Sequence, residues 1–307
     1  MMAPYHAALA RGSERDDLAF LMEARHTDVE FLMENGTDPP QTFRAHKTLL
    51  AMRNEVFEAM FYGTQSEKLQ YSISNLRTDG FFTLLRYLYT QAASLINIPQ
   101  ALHTRTAAET FRVSKLVEAC DAFLGTSMQP ADVCYVLEYT IAKGSTKTLD
   151  GLIDKHLKEN AEQVLKCKEF IAASQETVLK ILKNPCLRIR EYDVIEAVYS
   201  WATVHCAQAS DETPITALRR TVRPFLPELR LLSLTPLEFV EGPSCWQILT
   251  KRDTLDVLSN IIKPGSERLP EGICANRERR TNSCGRPGLP ALAAPRALSF
   301  GAPHYGK

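Results

Sequence analysis

The side chains that could perform catalysis or bind metal are spread singly along this chain. Serine, histidine and aspartate all occur, but no Gly-x-Ser-x-Gly turn, His-Glu-x-x-His motif, Walker loop or Gly-x-Gly-x-x-Gly motif is present. The chemistry of each of these motifs needs particular residue types at a fixed spacing. We therefore interpret the chain as non-enzymatic and expect no cofactor.

The cysteines indicate a similar absence of metal chemistry. There are eight of them, with no Cys-x-x-Cys pair. His205 with Cys206, and Cys274 with Cys284, are the two arrangements that suggest a metal site. A structural zinc ion needs four convergent ligands, so we favour buried or exposed thiols and expect no metal. Single thiols without a secretory leader predict a reducing compartment, which is the cytoplasm, with the nucleus as the alternative.

Charge and hydropathy limit the classes of partner. The 36 basic and 36 acidic side chains give no net charge, which argues against nucleic-acid binding. The basic run Arg277-Glu278-Arg279-Arg280 allows nucleic-acid contact or nuclear targeting as an alternative, but we favour a solvated charge run. No apolar run approaches the roughly 18 residues of a membrane helix, so we expect neither a signal peptide nor a membrane anchor.

The first third of the chain predicts a short sheet flanked by helices. After a flexible segment over residues 1–14, helical spacing of apolar residues leads into alternation at Val29, Phe31 and Met33. Turn-forming residues then precede a return strand at 42–45, and alternation at 69–73 predicts a third strand. Helices are predicted at 47–52, after a cap at Asn54, and from Thr78. The fold class is therefore α+β.

The rest of the chain to residue 264 shows helical periodicity only. Predicted helices lie at 98–111, 116–124, 133–141, 149–157, 161–171, 177–182, 194–204, 218–226, 234–240 and 254–262. From Gly265 to Lys307, glycine and proline supply about a quarter of the residues and the periodicity disappears. We interpret 265–307 as a disordered tail because such a composition buries little apolar area.

His46 has two interpretations. It follows a predicted strand and precedes a helix, and Asp28 begins the partner strand. We favour a structural role at this strand-to-helix corner, satisfied by backbone or a carboxylate, over direct contact with a partner.

Four motifs together resemble the BTB/POZ domain. They are Asp28-Val29-x-Phe31, Phe43-x-Ala45-His46-Lys47-x-x-Leu50, Val56-Phe57-x-x-Met60-Phe61 and Leu84-Leu85-x-Tyr87-Leu88-Tyr89-Thr90. The resemblance covers residues 15–125. Residues 126–264 are similar to the BACK domain and a C-terminal helical extension, an all-α set of helical hairpins. Met60-Phe61-Tyr62-Gly63 and Leu234-Thr235-Pro236 are similar to a BTB–BACK subgroup that usually carries a PHR domain, which we expect to be missing here.

The resemblance implies a non-catalytic, homodimeric substrate adaptor for a cullin-3 RING ubiquitin ligase, acting on an unknown substrate. It implies heterodimers with other BTB proteins as well. From charge and hydropathy we expect neither nucleic-acid nor membrane partners. The cullin contacts would be Phe61, Tyr62, Gln65, Ser66 and Glu67. The dimer contacts would be Leu18, Leu21, Met22, Val29 and Phe31.

One position departs from the family pattern. The hydrophobic-x-Glu cullin motif stands here as Gln65-Ser66-Glu67. Loss of an apolar anchor at a hot spot costs on the order of 2 to 4 kcal/mol of binding free energy. A structural or regulatory BTB protein that dimerises without recruiting a ligase is therefore the alternative function.

Overall fold

A short sheet lies near the N-terminus, and the last helix of the described chain ends at Ile262. The computed structural model describes residues 19, 21, 23–34, 41–63, 68–206 and 213–280. Within these residues the structure divides into an N-terminal α+β domain and a helical domain, each with its own hydrophobic core. The α+β prediction is confirmed.

The sheet has three strands in the order β2-β1-β3. Strand β1 (Val29–Met33) pairs antiparallel with β2 (Gln41–Ala45), and it pairs parallel with β3 (Gln70–Ile73). A parallel pair needs a long crossover, which the chain between β2 and β3 supplies. The predicted hairpin and the predicted third strand are both confirmed.

The helices of the N-terminal domain are α1 (Lys47–Arg53), α2 (Glu55–Tyr62), α3 (Thr78–Thr90), α4 (Ile98–Thr110) and α5 (Ser114–Ser127). The helical domain contains α6 (Val133–Lys143), α7 (Lys147–Glu159), α8 (Ala161–Lys166), α9 (Lys168–Ala172), α10 (Gln175–Lys183), α11 (Glu191–His205), α12 (Pro214–Val222), α13 (Pro236–Phe239) and α14 (Lys251–Ile262). The prediction of one helix over 161–171 is wrong, because Cys167 adopts an extended conformation (φ −77°, ψ 157°) between α8 and α9.

The side chain of Asn54 joins two parts of the N-terminal domain. Its Oδ1 accepts hydrogen bonds from the backbone N–H groups of Val56 and Phe57, at 3.0 and 3.1 Å, which caps α2 as predicted. Its Nδ2 donates to the carbonyl of Phe111 at 2.7 Å. The start of α2 is therefore tied to the end of α4.

Aromatic rings fill the core of the N-terminal domain. Phe31, in the central strand, is fully buried and contacts the rings of Phe57, Phe61, Tyr71 and Phe81 at centroid distances of 5.2 to 6.2 Å. These rings come from α2, β3 and α3, so a single side chain of β1 brings three other elements together.

Helix α4 belongs to both cores. Leu102 packs into the core of the helical domain, whereas Ala107 and Ala108 pack into that of the N-terminal domain. The neighbouring helix α3 approaches α4 so closely at Gly80 that an added Cβ would overlap the backbone of His103. Glycine therefore permits the packing of α3 on α4.

Residues 265–280 are packed against the helical domain, and the prediction that they belong to a disordered tail is wrong. Leu269 and Ile273 are partly buried against the core of that domain, and the backbone N–H of Cys274 donates to the carbonyl of Leu226 at 3.3 Å. The predicted flexible segment 1–14 and the rest of the predicted tail, 281–307, lie outside the described residues.

Arg280 explains why residues 265–280 fold back. Its side chain is 3% exposed, and its Nε donates to the carboxylate of Glu191 at 2.8 Å. Its two terminal nitrogens donate to the carbonyls of Leu182 and Glu228, at 2.9 and 2.7 Å. A buried charge has to be paired and hydrogen-bonded, and these partners meet that need. The interpretation of Arg280 as part of a solvated charge run is therefore wrong.

None of the helices in the described ranges combines the length and the apolar composition needed to cross a membrane.

The Arg280–Glu191 ion pair gives a first prediction. Arg280→Ala leaves the Glu191 carboxylate buried without its cationic partner, so we expect a loss of about 3 to 5 kcal/mol of unfolding free energy. Urea unfolding followed by circular dichroism measures this change. Arg279→Ala is the matched control, because Arg279 is exposed and a surface change costs within about 0.5 kcal/mol.

The double variant Arg280→Ala/Glu191→Gln removes the buried charge as well, and we expect it to recover part of the lost stability. Equal unfolding midpoints for Arg280→Ala and Arg279→Ala would contradict the assigned role of the ion pair.

Candidate protein-interaction site

The end of α2 carries the predicted cullin contacts, and two neighbouring residues there differ completely in exposure. Tyr62 is 58% exposed, and its hydroxyl lies 3.4 Å from Oγ1 of Thr48 on α1. Phe61 is 1% exposed and packs against Phe57 and Tyr71. Successive helical residues point about 100° apart, so Phe61 faces the core. Its predicted contact with a partner is wrong, whereas Tyr62 is available.

Three further predicted contacts, Gln65, Ser66 and Glu67, lie outside the described residues. The first of them, Gln65, lies three positions after the exposed Tyr62 in the sequence. Their predicted role stays a prediction.

The predicted dimer contacts of β1 are buried within their own domain. Val29 is 2% exposed and Phe31 is 0% exposed, because the odd positions of the central strand face the core. Leu21 is also buried in this core. Such side chains cannot form an exposed dimer surface, so the prediction for these three is wrong. Leu18 and Met22 lie outside the described residues.

Helix α1 presents an apolar surface instead. A cavity of about 420 Å³ is lined by Leu49 and Met52 together with His26, His46, Thr48, Arg53 and Tyr89. Met52 is 81% exposed, although it is a large apolar side chain. Leu50, on the opposite side of the same short helix, is fully buried. Helix α1 is therefore apolar on two faces, of which the domain core covers one.

The corner between β2 and α1 contains Asp28 and His46, as the sequence predicted. The Asp28 carboxylate accepts a hydrogen bond from the backbone N–H of Lys47 at 2.7 Å, at the first residue of α1. His46 Nε2 lies 2.7 Å from the carbonyl of Arg25, and Nδ1 lies 2.7 Å from the hydroxyl of Tyr89.

The hydrogen bonds of His46 assign its tautomer. A carbonyl can only accept, so Nε2 carries the proton and donates to Arg25. In the neutral ring Nδ1 accepts from the Tyr89 hydroxyl, which in turn accepts from the backbone N–H of His46 at 3.0 Å. Both ring nitrogens thus hold the corner together, which supports the structural interpretation of this histidine.

The suggested metal ligands His205 and Cys206 have local partners. The His205 ring stacks on Trp201 with a centroid distance of 4.1 Å, and its Nδ1 lies 3.0 Å from the Trp201 carbonyl. The Cys206 thiol donates to the carbonyl of Thr203. Among the residues that the structure describes, no three His, Cys, Asp or Glu side chains group as metal ligands.

A cleft of about 350 Å³ lies where the two domains meet. His103 of α4 joins them: its Nδ1 lies 2.9 Å from both carboxylate oxygens of Asp79, and its Nε2 lies 3.2 Å from the hydroxyl of Tyr135 on α6. Nearby, the hydroxyls of Thr106 and Tyr139 are 2.7 Å apart. Helices α4 and α6 are therefore hydrogen-bonded to each other at two places.

The acid at this cleft is ionised more readily than usual. Burial opposes ionisation of Asp79, but the hydrogen bond and the charge of His103 outweigh it, and they lower the pKa of Asp79. Burial raises the pKa of the Tyr135 hydroxyl. The hydrogen-bonded series Asp79–His103–Tyr135 thus has a carboxylate at one end and a neutral phenol at the other. Such an arrangement suits a structural link between the helices that carry these residues.

Sequence reasoning missed Met52, His103 and Tyr135. Met52 had a signal: an apolar residue two positions after the buried Leu50 points away from the core face of a helix. His103 and Tyr135 are 32 positions apart, and helical spacing within α4 or α6 carries no information about their contact.

Comparison with known proteins agrees with this architecture. The family model of the BTB/POZ domain matches residues 19–128, and the model described as BTB And C-terminal Kelch, the BACK domain, matches residues 134–234.

Full-length relatives are similar over most of this chain. BTB/POZ domain-containing protein 6-A of Danio rerio is 30% identical over 296 residues, which is 91% of this chain and 52% of that protein. BTB/POZ domain-containing protein 6 of Homo sapiens is 30% identical over 89% of this chain and 50% of that protein. BTB/POZ domain-containing protein 3 of Homo sapiens is 29% identical over 84% and 50%. The chain spans about half the length of these relatives.

The three-stranded sheet, the α1–α2 helix pair and helices α6 to α12 coincide with these two family matches, and the chain therefore belongs to the BTB/POZ proteins that carry a BACK domain.

Proposed function

We propose that this chain is a non-catalytic adaptor that dimerises through its BTB/POZ domain and binds cullin-3, so that a RING ubiquitin ligase reaches a substrate. BTB and BACK domains fit a role in protein interaction. The observation that carries the proposal is the exposed Tyr62, at the end of the α2 helix whose motif resembles the family's cullin-contact element.

The position of Tyr62 suits a docking residue. The preceding Phe61 is locked in the aromatic core, so the end of α2 has little freedom to move. A tyrosine on such a rigid base loses little conformational entropy when it binds, and tyrosines are frequent among interface hot spots.

The dimer surface of the proposal is the exposed face of α1. Met52, together with Leu49 beside the 420 Å³ cavity, forms an apolar surface that a second copy of the domain would cover. This assignment replaces the buried residues of β1. Because the Thr48 and Tyr62 hydroxyls lie 3.4 Å apart, the proposed dimer surface would adjoin the proposed cullin contact.

The alternative is a BTB protein that dimerises without recruiting a ligase. Gln65 favours it, because glutamine stands where the family motif has an apolar anchor. Both functions share the dimer surface on α1. They differ in whether the chain binds cullin-3, so a direct binding measurement separates them.

For cullin binding, we predict that the wild-type chain binds the N-terminal region of cullin-3 at micromolar concentrations in isothermal titration calorimetry. Tyr62→Ala should weaken binding by tenfold or more, since truncation of a hot-spot aromatic costs about 2 kcal/mol or more. Gln65→Leu should tighten binding by restoring an apolar anchor.

Leu255→Ala is the matched control for this measurement, because Leu255 is 65% exposed on α14 of the helical domain and should leave affinity unchanged. Phe61→Ala is unsuitable, since it would open a cavity in the core. Failure of the wild type to bind at micromolar concentrations would reject the adaptor and favour the alternative.

For dimerisation, we predict a dimer at tens of micromolar by light scattering, and a monomer for Met52→Glu. A carboxylate in a buried apolar interface should weaken the dimer at least a hundredfold, which corresponds to about 3 kcal/mol. Leu255→Glu places the same charge on an exposed apolar position elsewhere and should remain a dimer. A monomeric wild type, or a dimeric Met52→Glu, would refute the α1 surface.

A further inference from the structure

A groove in the helical domain has a basic wall. Its volume is about 730 Å³, and its lining includes Arg219 and Arg220 of α12 together with Arg223, which directly follows that helix. Arg220 and Arg223 are exposed, and Arg219 is partly exposed. Helix α12 therefore turns a cationic face toward the groove.

Two of these arginines keep hydrogen-bond donors for a ligand. The Nε of Arg219 donates to the carbonyl of Gln247 at 2.8 Å, which holds its side chain in place. Within the described part of the chain, the terminal nitrogens of Arg219 and the whole guanidinium of Arg223 have no hydrogen-bond or ion-pair partner. Arg219 is thus ordered before a ligand binds, which lowers the entropy cost of binding.

The lining becomes apolar beyond Arg223. Leu226 and Ile273 both line the groove, and both pack in or against the core of the helical domain. The backbone N–H of Cys274 donates to the carbonyl of Leu226 at 3.3 Å, so residues 270–273 are held alongside as the second wall. A ligand that follows the groove would therefore meet cationic groups first and apolar side chains next.

Two carboxylates in the lining limit the kind of anion that fits. Asp253 accepts a hydrogen bond from the Thr250 hydroxyl at 2.7 Å in the first turn of α14, and Glu271 is exposed. Both would repel a continuous phosphate backbone. None of the described residues that line the groove is aromatic, so nucleic-acid bases would find no side chain to stack on. These features favour a short acidic protein segment over a nucleic acid.

The spacing of Arg219 and Arg223 suits an extended peptide. The backbone N–H of Arg223 donates to the carbonyl of Arg219, so the two residues lie on one helical face about 6 Å apart along the axis. Alternate residues of an extended chain point to the same side and lie about 6.6 Å apart. Guanidinium groups bind carboxylates through paired hydrogen bonds. Two acidic residues at alternate positions therefore match the two arginines.

We propose that this groove binds an extended acidic segment of a partner protein, with two carboxylate side chains on Arg219 and Arg223 and a following apolar side chain against Leu226 and Ile273. The inference depends on neither cullin binding nor dimerisation.

Fluorescence anisotropy with the full chain and a synthetic peptide tests the proposal. The probe is a rhodamine-labelled peptide with the core Glu-Ala-Glu-Ala-Leu between glycine and serine residues. We expect it to bind at micromolar concentrations and to bind less tightly as the salt concentration rises. The same peptide with glutamine in place of both glutamates should not bind. Equal affinity for the two peptides would overturn the proposal, and so would a failure of the glutamate peptide to bind at micromolar concentrations.

Variants test whether the peptide binds in this groove. Arg223→Ala should weaken binding about tenfold or more, because it removes hydrogen bonds to a charged group. Arg223 is exposed and has no described partner, so circular dichroism should show a wild-type fold. Arg279→Ala is the matched control, since it removes an exposed arginine that does not line the groove. Equal affinities for Arg223→Ala and Arg279→Ala would overturn the assigned site.

Two further probes test the chemistry of the occupant. Serine in place of the leucine should weaken peptide binding about tenfold, because an apolar side chain is no longer buried; an unchanged affinity would overturn the contact with Leu226 and Ile273. A labelled oligodeoxythymidine should bind more weakly than the peptide. Tighter binding of the oligonucleotide, lost in Arg223→Ala, would overturn the proposal in favour of a nucleic-acid groove.

Discussion

The close approach of α3 to α4 at Gly80 determines how the two domains meet. Because Gly80 has no side chain, the backbone of His103 can lie against it, and the adjacent Asp79 then reaches the His103 ring. The other nitrogen of that ring contacts Tyr135 of the BACK domain. A larger residue at position 80 would separate α3 from α4, and the hydrogen-bonded chain from Asp79 to Tyr135 would lose its geometry. The orientation of BACK on BTB/POZ therefore depends on this backbone contact together with the Thr106–Tyr139 hydrogen bond and the packing of α4 into both cores.

Local patterns predicted most of the fold because each element is encoded by its own residues. Alternation at Val29, Phe31 and Met33 indicated a strand, and Asn54 capped α2 as expected. The sites were harder to predict, since a motif identifies a helix but does not say which of its side chains reach solvent. Phe61 and Tyr62 are neighbours in one motif, yet one is in the core and the other is exposed. The dimer prediction for β1 failed in a similar way, because Val29 and Phe31 are apolar as core residues of their own domain and not as part of an exposed surface.

Residues 265–280 were predicted to be disordered because the prediction used the average composition of the whole segment 265–307. Glycine and proline are frequent throughout 265–307, and the average hides a single arginine whose partners lie far away in sequence. Arg280 pairs with Glu191, 89 positions earlier, and Glu191 also accepts the backbone N–H of Arg230. A buried ion pair of this kind adds little net stability, but its removal from one side is costly. It therefore acts mainly as a constraint that selects one path for the chain across the BACK domain.

The exposed surfaces of the BTB/POZ domain also depend on geometry more than on stability. Met52 and Tyr62 are exposed although water solvates their apolar atoms poorly, and they lie on two helices that Leu50 and Phe61 anchor in the core of the N-terminal domain. Helix α6 is different, because its outer side bonds α4 through Tyr135 and Tyr139 while Cys134 lies in the interior. The BTB/POZ surfaces and the junction with BACK thus differ in kind, because the first leave Met52 and Tyr62 exposed, whereas the second is closed by hydrogen bonds between α4 and α6.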